Sequence, residues 1–328
     1  MIKLEETTLN SLLSPYGLSN TMVKYLGGGR EDSDGVCYSF QRDGRPMVVK
    51  ILAWKEPEDD FSWTRRRYEE RIAFAFYLGE SGAPAVCPIK DMDGLLYRHW
   101  HDGQHGFVSY LMDHVNGNPP EPKQWGGALL AQWGGAVGRM HALATKYDHW
   151  RHSPHPGKDG NPQLGWQTEV KGFQDWCRDE EVKRLWATME TRLNALPLQR
   201  DSFGFIHNDP HGNNMLYDGK TLSVIDFDVA NYHWFITDIA IALQSALFTW
   251  GGMERPVGDT DAVRRFFDGF LSGYEREHHL DNEWFARLGL FVNYRRMLLF
   301  TVMQDWLDTN TMMKESWKRM ILEEPGVL

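Results

Sequence analysis

Hydrophobic and polar positions follow two different periods along this chain. Between Met22 and His114 the apolar runs are short and are separated by polar, Gly-rich turns. MVKYLGGGREDSDGVCYSF predicts strand, turn and strand. RDGRP (Arg42 to Pro46) carries the Asp-Gly pair that marks a tight hairpin, and MVVKIL predicts a strand over Met47–Leu52. Residues 1–20 predict a short helix ending near Pro15-Tyr16-Gly17. From Thr64 to Leu78 the period becomes helical, with Ile72, Phe74, Ala75, Phe76 and Leu78 on the apolar side and Glu69, Glu70 and Arg71 supplying charge. Two further strands are expected over Gly94–His99 and Gly106–His114.

VNGNPPEP (Val115 to Pro122) is too rich in Pro and Gly to continue any regular element and predicts a hinge. Beyond it the helical period dominates, over Trp125–Ala144, Trp176–Leu196, 237–250, 260–280, 283–307 and 311–323. The expected architecture is α+β and bilobal. A small antiparallel β lobe with one helix spans residues 1–113, and a larger, mainly helical lobe spans 114–328.

One segment interrupts the helices: FIHNDPHGNNMLYDGKTLSVIDFD, from Phe205 to Asp228. Phe203–Ile206 reads as a short apolar entry. His207 to Asn214 is a loop, because Pro, Gly and Asn cannot continue a strand. Asn214–Tyr217 and Leu222–Ile225 read as two arms of a hairpin, joined at Asp218-Gly219. Asp209 therefore lies in the loop, while Asn214 and Asp226 lie on adjoining arms. An Asn and an Asp together offer oxygen ligands, which suit a hard cation such as Mg²⁺ that fills its other positions with water and phosphate oxygens. An Asp in the preceding loop can accept a proton from an attacking hydroxyl. A base Asp, an Asn five residues on and a second Asp after a hairpin is the layout of phosphoryl transfer. The structural alternative is a set of turn-capping Asx residues.

Composition narrows the field. The 328 residues are 42% hydrophobic and 24% charged, with a net charge of −10. The longest cationic cluster is Arg65-Arg66-Arg67, flanked by acidic residues, so a nucleic-acid partner is not expected. The N-terminus lacks the basic and apolar regions of a signal peptide, and Phe235–Trp250 falls short of a membrane span because it contains Asp238 and Gln244. A cytoplasmic location with no membrane partner is expected. Cys37, Cys87 and Cys177 stand far apart, which argues against disulfides and a structural zinc. Two histidine groups, His99/His101/His105 and His149/His152/His155, have spacings open to a transition metal or to plain surface loops. The 14 Trp are expected mostly in the core.

HNDPHGNNML followed by VIDFD resembles the HGDxHxxN and IDxxD motifs of the aminoglycoside phosphotransferase and choline kinase superfamily. LGGGREDSDGVCYSF, the VVKI lysine, YLMDHVNG, GRMHAL and TDIAIAL follow in the order of that superfamily. The resemblance covers most of the chain. It is nearest to the branch with type II homoserine kinase and the RdoA-like stress kinases.

The resemblance implies a protein-kinase-like fold, with ATP and Mg²⁺ as cofactors. By position it makes Asp209 the catalytic base, and Asn214 and Asp226 the metal ligands. Lys50 becomes the phosphate-contacting lysine, with Glu70 (or Glu69) as its helix partner. Gly28, Gly29 and Ser33 fall in the phosphate-covering loop, Asp113 and Val115 in the adenine-facing hinge, and Asp238 at the brace of the catalytic loop. Asp228 is either a third carboxylate of the metal site or a loop residue. Asn208 and Pro210 depart from the family pattern, which favours Gly and Leu or Phe there. The implied reaction moves the γ-phosphoryl of ATP to a hydroxyl of a small molecule: an amino alcohol, a sugar or an aminoglycoside. A Ser/Thr protein kinase of the same fold, a nucleotide-binding regulator without turnover and a metal-dependent hydrolase are the alternatives.

Overall fold

The computed structural model describes residues 4–28, 35–55, 61–148, 165–251 and 260–323. The chain divides into two compact units: Met1–Gly117, Tyr147–Gln163 and Ser223–Val229 make the first, and Asn118–Lys146, Leu164–Leu222 and Ala230–Leu328 make the second. Among the described residues no helix is long and apolar enough to cross a membrane.

The first unit is built on a six-stranded antiparallel sheet. Its strands are β1 (Lys24–Gly28), β2 (Gly35–Arg42), β3 (Arg45–Lys55), β4 (Pro88–Ile89), β5 (Arg98–His101) and β6 (His105–Asp113). The order is β1-β2-β3-β6-β4, with β5 also on β6. β2 and β3 join at Asp43 and Gly44, both left-handed with φ of 52° and 76°, the primed turn that the Asp-Gly pair predicts. β3 lies inside the sheet, and both of its faces are covered. Met47, Val49, Ile51 and Ala53 pack with Leu12, Leu13 and Tyr16. Leu52 and Trp54 pack with Tyr68 and Ile72 of the helix Phe61–Glu80. Two-sided burial explains why β3 reads as a nearly unbroken apolar run rather than an alternation.

The strand expected over Gly94–His99 begins later, at Arg98. Asp91 is the reason: its carboxylate accepts the Asp93 and Leu95 N–H groups and the Arg98 Nε, which fixes residues 91–95 as a turn.

The second unit is mainly helical. The helices Gly127–Ala144 and Thr260–Tyr274 cross at very short range. A Cβ on Gly134 would stand 1.8 Å from the Phe270 carbonyl oxygen, and one on Gly273 1.8 Å from that of Ala131. Only glycine permits that approach. Trp133, Trp166, Trp186, Trp234 and Trp284 are fully buried, in line with the expected core role of Trp.

Three expectations need correction here. The helix expected over Trp176–Leu196 runs from Glu180 to Asn194, and a separate helix, Trp166–Trp176, absent from the sequence reading, precedes it. The break comes from Asp179, whose carboxylate accepts the Glu181 and Val182 N–H groups and caps the second helix. The helix expected over 283–307 is three pieces, Asn282–Phe285, Leu288–Val302 and Gln304–Asp308. β7 (Phe203–Ile206) pairs antiparallel with β10 (Asn231–Trp234), a strand absent from the sequence reading. Between these two, β8 (Met215–Tyr217) and β9 (Leu222–Val224) form the expected hairpin.

Candidate active site

Lys50 sits in the middle of β3, opposite Cys37 on one side and Tyr110 on the other. It is 5% exposed. An edge strand would have allowed a solvated lysine; this strand does not. Isolated buried ammonium groups are costly. Here Nζ donates to Asp226 Oδ1 at 2.9 Å and reaches Asp228 Oδ2 at 2.6 Å. Burial presses the Lys50 pKa down, but the charges of Asp226 and Asp228 outweigh it and hold the ammonium well above its ordinary value. Burial and then the Asp226 charge push the Asp228 carboxyl up to about 6 against the pull of Lys50.

Asp226 has a φ of 71°, left-handed for a residue that is not glycine. Such backbone costs energy, and it clusters at functional sites. Space around the lysine is tight. A Cβ on Gly35 would stand 3.0 Å from Lys50 Cε and 3.1 Å from Asp228 Oδ2.

The other expected residues of this unit are placed as follows. Glu70 is buried on the helix Phe61–Glu80; its neighbour Glu69 pairs with Arg65 at 3.4 Å. The carboxylates on Lys50 in this structure are those of Asp226 and Asp228. Gly28 closes β1 with a φ of 84°, and a Cβ there would be 2.1 Å from the Gly35 carbonyl oxygen. Gly29 and Ser33 lie outside the described residues. Asp113 ends β6 with its carboxylate on Arg45 at 2.7 Å, and Val115 follows two residues later, half-buried.

In the second unit, Asp209 follows β7. Its Oδ1 accepts from Arg295 Nη2 at 2.5 Å, and its Oδ2 lies 3.4 Å from His211 Nε2. Burial pushes this carboxyl up, but the Arg295 charge, with His211 and His207, overcomes it and brings the pKa down to about 2. Asp209 is thus ionised throughout the physiological range and is a weak base in its resting state. It can orient a hydroxyl and take its proton late, as the acceptor oxygen becomes more acidic.

The loop carrying Asp209 is fixed from several sides. Asn214 Nδ2 donates to the Asp209 carbonyl at 2.9 Å, so its amide oxygen is the end left to face a cation. Asp238, fully buried in the first turn of the helix Phe235–Gly251, accepts the N–H groups of His207 at 3.2 Å and Asn208 at 2.8 Å. Its Oδ2 also meets His141 Nε2 at 3.2 Å, whose Nδ1 lies 2.9 Å from the Tyr274 hydroxyl. Asp238 therefore makes the bracing contact expected of it. Trp133 Nε1 donates to the Pro210 carbonyl, and Ser245 Oγ accepts the Gly212 N–H.

Asn208 has a φ of 66°, which explains why the family pattern favours Gly at this place. Asn is among the few other residues that tolerate the left-handed region. Its side chain donates to Glu169 Oε2 at 2.7 Å. Glu169 also accepts from Asn231 Nδ2 at 3.2 Å and from the Tyr294 hydroxyl at 2.5 Å. Arg295, Glu169 and Tyr294 were not singled out by sequence as partners of the loop. They come from helices far along the chain, and no local pattern marks them.

Oxygen donors of the Asn214 and Asp226 kind suit Mg²⁺ bound with phosphates. Among the described residues no group of three or more His, Cys, Asp or Glu forms a metal cluster of its own. His101 and His105 are engaged by Gly103 and Asp102, and His149, His152 and His155 lie outside the described residues.

The chain is 25% identical over 319 residues to an amicoumacin kinase of Bacillus subtilis (strain 168), covering 95% of this chain and 88% of that one. Its fold resembles a solved amicoumacin kinase, hAmiN, bound to AMP-PNP, Ca²⁺ and Ami, with a TM-score of 0.78, 21% identity and coverage of 94% and 90% of the two chains. It also resembles a microcompartment-associated aminopropanol kinase, with a TM-score of 0.60, 17% identity and coverage of 98% and 95%. The fold is thus the α+β, protein-kinase-like fold of these enzymes. The sequence pattern of the phosphotransferase enzyme family matches residues 30–285, and the chain belongs to that family.

Proposed function

We propose that this protein is an ATP- and Mg²⁺-dependent kinase that phosphorylates a hydroxyl of a small molecule. The observation that carries the reading is Lys50, a lysine buried inside a sheet and neutralised by Asp226 and Asp228. A cation held there at the expense of burial is suited to meet phosphate oxygens once its carboxylate partners turn to a metal. The family supports phosphoryl transfer, and the named relatives act on small molecules.

Each residue has a role in this reading. Lys50 orients the α- and β-phosphates, and Glu70 supports it from its helix. Asn214 and Asp226 supply metal oxygens. Bound Mg²⁺ would neutralise charge on the β- and γ-phosphates. Gly28, with Gly29 and Ser33, covers the phosphates, and the backbone at Asp113 and Val115 meets the adenine. Asp209 orients the acceptor hydroxyl and receives its proton.

The test is calorimetry of Mg²⁺-ATP on the native protein and on Asp226→Ala, followed by ADP release with pooled amino alcohols, sugars and aminoglycosides. Micromolar-to-millimolar binding that weakens in the variant, with acceptor-dependent ADP release, is expected. Absence of Mg²⁺-ATP binding to the native protein would overturn the assignment.

A further inference from the structure

We infer that Arg295 reads a second group of the acceptor: the molecule phosphorylated carries a carboxylate or amide carbonyl oxygen on a carbon close to the reacting hydroxyl. The inference rests on the proposed role of Asp209. Its chemical class is an α- or β-hydroxy acid or the corresponding hydroxy amide.

The reasoning begins with the donors of Arg295. A guanidinium has five N–H groups and no acceptor. Arg295 is 9% exposed, and none of its nitrogens is among the described buried atoms left without a partner, so the donors it does not spend within the protein open onto solvent, where an acceptor can reach them. Among the described residues its one hydrogen bond runs from Nη2 to Asp209 Oδ1. Other arginines of this chain satisfy more of their donors. Arg178 reaches Asp305 and Asp308, and Arg98 reaches Asp91 and Asp93. Arg295 keeps four donors beside the carboxylate proposed to hold the hydroxyl.

Charge around Asp209 points the same way. The groups whose charge bears on it are Arg295, His211 and His207, all basic. The nearby carboxylate of Glu169 is taken up by Asn208, Asn231 and Tyr294. An ammonium placed against Arg295 would meet a like charge, and the described carboxylate beside it, Asp209, is already paired with that arginine. A carboxylate or carbonyl oxygen would meet donors, and a carboxylate could be held by two parallel N–H groups. A hydroxyl on Asp209 and an oxygen on Arg295 are then held side by side, which suits functional groups on adjacent or next-but-one carbons.

The transfer balances without further reactants. The acceptor oxygen bonds to the γ-phosphorus, and the bond from that phosphorus to the β–γ bridging oxygen breaks. Its electron pair leaves with ADP, and the hydroxyl proton passes to Asp209 and then to solvent.

The experiment uses the full chain with Mg²⁺-ATP and three matched probes: 3-hydroxybutanoate, 3-hydroxybutanamide and 4-amino-2-butanol. ADP release gives kcat and KM for each, and calorimetry gives Mg²⁺-ATP affinity. The native enzyme is expected to turn over one or both carbonyl-bearing probes with kcat/KM at least about tenfold above the amino alcohol, one well-made polar contact being worth that much. The acid and amide arms separate the two oxygen sources. Arg295→Gln is expected to raise KM for the favoured probe about tenfold or more with Mg²⁺-ATP affinity unchanged, and Arg295→Lys to restore part of the loss for the acid.

Preference for the amino alcohol, or equal use of all three, overturns the inference without needing any variant. So does turnover of none while Mg²⁺-ATP binds. A fall in kcat for every probe at constant KM in Arg295→Gln also overturns it, since Arg295 would then act on Asp209 alone. If Mg²⁺-ATP does not bind the native protein, the kinase reading falls and this inference falls with it.

Discussion

Asp238 offers the most direct test of how the catalytic loop is held. Its carboxylate is fully buried and accepts two backbone N–H groups, from His207 at 3.2 Å and Asn208 at 2.8 Å, besides meeting His141 Nε2. A hydrogen bond to a charged acceptor contributes about 1.5–3 kcal/mol, so Asp238→Ala, which strands both N–H groups, should cost on the order of 3–6 kcal/mol. Against a typical total of roughly 5–15 kcal/mol, that variant risks not folding. Asp238→Asn is the sharper probe. Its oxygen can keep the Asn208 bond at the Oδ1 position, but its NH₂ then takes the Oδ2 position and faces both the N–H of His207 and the ring of His141. We expect a loss of about 1.5–3 kcal/mol in urea unfolding. A shift of the Asp209 loop by about 1 Å should lower kcat by roughly 10²-fold. An Asp238→Asn protein within about 0.5 kcal/mol of the native stability and with native kcat would show that Asp238 does not brace the loop.

Three further outcomes are expected. Gly134→Ala puts a Cβ where the Phe270 carbonyl oxygen would be 1.8 Å away, so its helices must separate; a destabilisation of about 1–3 kcal/mol or more should lower the melting temperature, and an unchanged melting temperature would refute the close crossing. Glu169→Gln replaces an acceptor of three donors with an amide that can accept at only one atom, and kcat should fall about tenfold or more as the Asn208 turn loosens; native kcat would show that the turn holds without it. His233, buried, has its pKa pushed from 6.5 down to about 3. The unfolded chain then takes up a proton that the folded chain refuses, so this contribution to stability is whole above pH 6.5 and shrinks as pH falls toward 3. Melting temperatures across that window should fall more steeply for the native protein than for His233→Gln, and equal slopes would contradict the assignment.

Much of the fold was written locally. The Asp43-Gly44 turn and the apolar run of β3 are short-range signals, since each depends on backbone preference or on burial of a contiguous run. The positions of Asp209, Asn214 and Asp238 followed from a motif whose spacing is itself geometric. What the sequence concealed is long-range. Arg295 meets Asp209 from 86 residues away, and Tyr294 meets Glu169 from 125. Both sit on a helix whose pattern announces only packing. β10 was missed because NYHW has no clear alternation; it exists because β7 offers it a partner in register, Ile206 against Asn231. The helix expected over Trp176–Leu196 starts later, at Glu180, because Asp179 takes backbone N–H groups as a cap, an effect that a hydrophobic period does not register.

The pairing of Lys50 with Asp226 also makes the first unit depend on a distant part of the chain. The two residues are 176 positions apart, yet both belong to the first unit, which takes back Ser223–Val229 after the chain has passed through much of the second. During synthesis the sheet strands emerge long before the carboxylates that neutralise their buried lysine. Until then closure of that sheet would strand an ammonium in an apolar layer, a cost of several kcal/mol. Native packing of Lys50 without those carboxylates is disfavoured by that amount, and joining residues 176 positions apart adds an entropic cost of loop closure. A product truncated before Asp226 would lack both carboxylates that pair with Lys50 and most of the Ser223–Val229 segment that belongs to the first unit.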